Sequence, residues 1–95
     1  MTFTWPNFDE PKPIHGNISW TAIFESYDQR NEVAYYLMTL LEDGREPRHI
    51  MAQTDIGWAG DDWSSPEFAL RIRSELDQVA RRGDSNTRYL GSLAR

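Results

Sequence analysis

The sequence predicts an α+β fold: a small antiparallel sheet of about three strands, in β-β-β-α order, with one amphipathic helix packed on one face. Three observations predict it. Apolar and polar residues alternate through 17–27, an Asp43-Gly44 pair separates two apolar stretches, and a capped helical stripe runs from Ser65 to Gly83. At 95 residues the chain has room for one domain. Its core must come from few, large side chains, and four Trp, four Tyr and four Phe supply them.

Residues 1–16 hold Pro6, Pro11 and Pro13. Proline removes a backbone donor and restricts the residue before it, so this segment reads as an extended arm. Phe3, Trp5 and Phe8 are the side chains able to pin it to the domain. The domain itself is expected to span 17–83, with 84–95 as a C-terminal tail carrying Tyr89, Leu90 and Leu93.

The first strand is expected near 17–27, where Ile18, Trp20, Ala22 and Phe24 define one apolar face. A polar turn, Asp28-Gln29-Arg30-Asn31, follows. Residues 32–42 are apolar almost throughout, and periodicity alone does not separate strand from helix there. Val33, Tyr35, Tyr36 and Thr39 favour a strand; Ala34, Leu37, Met38, Leu40 and Leu41 favour a helix. The turn signal at Asp43-Gly44 tips the reading to a strand, with 49–54 returning as the next one. A loop rich in Gly, Asp and Trp spans 55–65. The helix then opens with Ser65 as N-cap, Pro66 in its first position and Glu67 at its positive end. Phe68, Ile72, Leu76 and Val79 form its apolar stripe. Arg81 and Arg82 suit its negative end, and Gly83 suits a left-handed cap.

Composition narrows the function classes. Without cysteine there is no disulfide, thiolate catalysis or cysteine-ligated metal. Residues 1–6 lack the charged-then-apolar pattern of a signal peptide, and no apolar run approaches the about 20 residues of a membrane helix. The cytoplasm is the expected location, with no membrane association. The net charge is −5, with twelve acids against four bases in 1–67 and three acids against six arginines in 68–95. That balance argues against nonspecific nucleic-acid binding and fits a basic protein partner.

No pattern commits the chain to a chemistry. His15 and His49 lack the spacing of metal ligands, so no metal and no cofactor is expected. Asp61-Asp62 fails the calcium-loop pattern and suits turn chemistry before a helix. No catalytic residue is assigned. The expected function is a non-enzymatic protein-binding module: a small regulator, an immunity-type inhibitor or an assembly subunit. Its candidate binding residues are Trp58 and Trp63 as aromatic anchors, with Glu42, Asp43, Glu46, Asp61 and Asp62 as an acidic rim around Trp58. Self-association into a homodimer by edge pairing or arm exchange is a further expectation. The alternative is a small enzyme, or a small-molecule or cation binder, that uses the Asp55–Trp63 loop with His49.

Overall fold

The computed structural model describes residues 3–88. Strands β1 (Phe8–His15), β2 (Ile18–Asp28), β3 (Val33–Glu42) and β4 (Arg48–Asp55) form one antiparallel meander in the order β1-β2-β3-β4. A 3₁₀ turn at Gly57–Ala59 leads to helix α1 (Pro66–Arg82). The class is α+β as expected, but the sheet has four strands instead of about three.

The additional strand, β1, lies within the proline-rich segment that reads as an arm. Its pairing with β2 is irregular, with register shifts between Phe8 and Lys12 and between Pro13 and His15. An edge strand accommodates this because its outward backbone needs no partner, so Pro11 and Pro13 cost it no ladder bond and blunt the edge against other chains. The domain therefore begins before residue 17. The start of the C-terminal segment also belongs to it. Ser85 Oγ accepts from the Met51 N–H at 2.9 Å, and Asn86 Oδ1 accepts from the Gln53 N–H at 2.7 Å. Asn86 Nδ2 donates back to the Gln53 carbonyl at 2.9 Å. These bonds satisfy backbone groups on the free edge of β4. Tyr89, Leu90 and Leu93 lie outside the described residues.

Residues 33–42 are a strand. The run is apolar throughout because β3 is central and both of its faces are apolar. Ala34, Tyr36 and Met38 are buried under the helix, whereas Tyr35, Leu37 and Leu41 point to the other side. A register shift between Phe24 and Ser26 places a bulge at Glu25. The extra residue reverses the alternation, so Tyr27 joins Phe24 against the core.

Trp20, Ala22, Tyr36, Met38 and Ala52 from the sheet meet Phe68, Ile72 and Leu76 from α1, all 0% exposed. Ser65 caps α1, its Oγ accepting from the Phe68 N–H at 3.3 Å. Gly83 ends the helix in the left-handed region (φ 80°), donating to the Val79 carbonyl at 3.0 Å. One polar bond ties the sheet to the helix, and a second ties it to the segment that precedes β1. The Trp20 indole N–H donates to Asp77 Oδ1 at 3.0 Å, and the Tyr36 hydroxyl donates to the Pro6 carbonyl at 2.7 Å. Burial pushes the Tyr36 hydroxyl well above the usual phenol range. No helix among the described residues is long and apolar enough to cross a membrane.

Candidate binding surface at the aromatic end

The end of the sheet where β4 leaves for the helix gathers most of the aromatic side chains. Trp5 stacks on Phe24 with centroids 4.5 Å apart and planes 5° from parallel. Trp63 lies 5.1 Å from both Trp5 and Tyr27, and 6.1 Å from Phe68. Phe3 joins them, 5.6 Å from Trp63 and 6.1 Å from Phe68. The N-terminal aromatics thus close the open end of the sheet–helix sandwich in their own chain. Trp63, a candidate anchor, is half-buried in this cluster, and its indole N–H is buried without a partner. A shallow cleft of about 490 Å³ adjoins it between the arm and the helix start, lined by Phe3, Pro6, Trp63 and Phe68 among others.

Trp58 differs. It sits on the 3₁₀ turn with 38% of its surface exposed. Its indole N–H donates to the Asp55 carbonyl at 2.7 Å, and the Arg71 guanidinium lies 4.4 Å from the ring centroid. Its ring is 5.8 Å from Phe68. The turn beneath it is tied in two ways: Asp55 Oδ1 accepts from the Gly57 N–H at 3.0 Å, and the Ile56 N–H donates to the Glu32 carbonyl at 3.0 Å. Glu32 adopts a positive φ of 55°, which turns its carbonyl toward this loop.

Asp61 and Asp62 are exposed on the same loop. The Asp62 N–H donates to the Ala59 carbonyl at 3.1 Å, so that part of the loop is turn chemistry. Glu42, Asp43 and Glu46 are elsewhere. They belong to the β3–β4 turn, and β3 carries that turn about 30 Å from Val33 and its partner Asp55. A single acidic rim around Trp58 is therefore not what the fold builds: Asp61 and Asp62 share the Trp58 end, and Glu42, Asp43 and Glu46 do not. Glu42 pairs with Arg45 at 3.2 Å and lines a cleft of about 590 Å³ with Arg48, Arg81 and His15. The charge there is mixed. His49 is also remote, about 20 Å of strand from Asp55, with its Nδ1 3.0 Å from Thr39 Oγ1. The loop-plus-histidine site of the enzyme reading is not assembled. No group of three or more acidic or histidine side chains suited to a metal occurs among the described residues.

Two residues of this end escape sequence reasoning. Arg71 reads as a solvated helix position and covers Trp58 instead. Glu75 has one carboxylate oxygen buried without a partner, and burial raises its pKa against the opposing pull of the Asp55 N–H and the Arg71 charge. The contacts that set them apart, Arg71 with Trp58 and Glu75 with Asp55, join residues more than ten positions apart and leave no local sequence signal.

No family model, curated protein or solved structure matches the chain.

Proposed function

We propose that the chain is a non-catalytic protein-binding module, a small regulator or assembly subunit of the cytoplasm, that engages a partner through Trp58. The observation that carries this reading is the state of that side chain. A tryptophan 38% exposed, hydrogen-bonded through its indole N–H and backed by Arg71, presents a large apolar surface already held in place. Such a residue loses little freedom on binding, and Trp and Arg are enriched among the side chains that dominate interface energies. Asp61 and Asp62 beside it favour a basic partner by speeding encounter.

The test is affinity capture from the native host with the wild-type chain, followed by binding kinetics on the captured partner. Trp58→Ala is expected mainly to raise the dissociation rate, and joint Asp61→Asn and Asp62→Asn to lower the association rate and flatten its salt dependence. Circular dichroism on each variant establishes that it is folded. A partner bound equally well by folded Trp58→Ala would remove this surface from the function.

A further inference from the structure

The turn that presents Trp58 hangs from one residue at the end of β4. The Ile56 N–H bonds the Glu32 carbonyl at 3.0 Å, and bonded and non-bonded pairs alternate along an antiparallel ladder. Asp55, opposite Val33, therefore turns both its N–H and its carbonyl out of the free edge of the sheet. Met51 and Gln53 turn theirs the same way, and Ser85 and Asn86 take those amides. At Asp55 the partners are different. Its carbonyl accepts from the Trp58 indole N–H at 2.7 Å, and its N–H faces the carboxylate of Glu75 on α1. Glu75 also stands four residues after Arg71, on the same face of the helix, and feels its charge. Arg71 in turn holds its guanidinium 4.4 Å from the Trp58 ring centroid.

We infer that Glu75 is the positioning residue of the Trp58 surface: its carboxylate steadies Asp55, which holds the indole, and draws the Arg71 guanidinium to its place over the ring. The inference rests on the reading of Trp58 as the binding surface and adds the group that keeps that surface ready. Two features separate this role from ordinary packing. Glu75 Oε2 is buried with no hydrogen-bond partner, which costs the fold stability that a neutral side chain would not. A cation over an exposed ring is held only weakly, so a fixed negative charge one turn along the helix has a large share in keeping it there. A carboxylate that burdens the fold while it steadies a binding side chain is the trade-off between stability and function met at functional sites.

The arrangement makes the surface sensitive to acid. The charged groups around Glu75 are Arg71 on α1, the Asp55 carboxylate on β4 and, against Gly57 beside Asp55, the Glu32 carboxylate of the β2–β3 turn. Burial opposes the charged form of Glu75 most strongly and the Asp55 charge adds to it, whereas the Asp55 N–H and Arg71 favour it; the balance raises the pKa above the ordinary 4.5. Above the folded value the carboxylate holds Arg71. As pH falls through it, Glu75 becomes neutral, keeps an acceptor for the Asp55 N–H and releases Arg71. Trp58 then loses its guanidinium cover while its indole bond remains.

Proton NMR of the full chain tests this. Stacking on the indole shifts the Arg71 side-chain protons upfield, and the loss of that shift in Trp58→Phe assigns it. In Glu75→Gln the shift should fall by at least about half. In the wild type it should fall in the same way on acidification, with a midpoint above 4.5, and in Glu75→Gln it should stay flat through that range. Because Gln keeps an acceptor, the Asp55 amide should exchange as in the wild type, whereas Glu75→Leu should speed that exchange at least about tenfold. Glu75→Gln should at the same time melt no lower than the wild type at pH 7, a combination that a merely structural carboxylate does not give. An Arg71 shift unchanged in both variants, or a wild-type transition that persists in Glu75→Gln, overturns the inference; the wild-type titration depends on no variant folding. These readouts use the free chain, so their failure leaves the Trp58 reading standing. With a captured partner, Glu75→Gln should raise the dissociation rate at least about threefold. A rate unchanged by Glu75→Gln where Trp58→Ala raises it overturns the positioning role and leaves the Trp58 reading intact.

Discussion

Asp77 reads from the sequence as a solvated helix position, yet it caps the indole of a tryptophan that is 0% exposed. Asp77→Ala removes two interactions. The first is the bond from Trp20 Nε1 to Oδ1 at 3.0 Å, a hydrogen bond to a charged acceptor whose loss strands a buried donor and costs about 1.5–3 kcal/mol. The second is the ion pair from Arg81 Nε to Oδ2 at 2.7 Å, between side chains 52% and 30% exposed. Solvent-screened pairs at this helical spacing contribute only about 0.3–0.5 kcal/mol. The indole bond dominates, and the total is about 2–3.5 kcal/mol. Asp77→Asn keeps an acceptor for the indole and should cost less, about 0.5–1.5 kcal/mol. Arg81→Ala loses that minor part together with a long bond, 3.4 Å, to the Ile14 carbonyl. Urea unfolding followed by circular dichroism resolves these differences, and a domain of this size should lose about 4–8 °C of melting temperature per kcal/mol. The pH dependence follows from the same contacts. Burial raises the Asp77 pKa, but the bonds from Arg81 and Trp20 and the charges of Arg81 and Arg73 outweigh it and hold the carboxyl below its ordinary 3.8. A depressed carboxyl contributes stability above its unfolded value and loses it as pH falls through the folded one. The gap between wild type and Asp77→Ala should therefore be full at neutral pH and close below about pH 3.8. If Asp77→Ala unfolds within about 0.5 kcal/mol of wild type, the indole has another partner and the reasoning fails.

Other substitutions probe the remaining layers. Leu76→Ala, at a position 0% exposed, should cost about 2–5 kcal/mol in the same denaturation assay, whereas an exposed stripe would give almost nothing. Glu75→Gln should raise the melting temperature at neutral pH, because burial penalises the charged carboxylate. With a raised folded pKa that penalty is complete above it and absent below the ordinary 4.5, so the advantage should vanish in acid; an advantage that persists there would contradict it. Joint Ser85→Ala and Asn86→Ala should speed hydrogen exchange at the Met51 and Gln53 amides while leaving Tyr36 protected, and unchanged rates would mean the β4 edge is held by other contacts.

Local chemistry carried much of the fold into view. The helix from Pro66 to Arg82 is legible because each of its signals acts within a few residues: the Ser65 cap, the stripe at helical spacing, and Gly83 at φ 80°. The β2 alternation is equally plain up to Phe24. The bulge at Glu25 is not, since it exists only in the register against β3. β1 was hidden for a related reason. Three prolines argue against a strand by local propensity, and only a position at the sheet edge makes two of them harmless.

The candidate site divides along the same line. Composition and the Asp55–Trp63 segment were enough to single out Trp58, Asp61 and Asp62, because a run of glycine, acid and tryptophan before a capped helix has to be a loop. Joining Glu42, Asp43 and Glu46 to them was not possible from sequence, because position along a chain does not say which end of an antiparallel strand a turn occupies. By itself, then, the sequence determined the helix and its caps, the alternation of β2 up to Phe24, the turn at Asp43-Gly44 and the aromatic supply of the core. The tertiary structure alone decided that Arg71 covers Trp58, that Asp77 meets Trp20, and that the acids part to opposite ends. Each of these depends on contacts between residues far apart in the chain, and such contacts are set by strand register and layer packing, which no local pattern encodes.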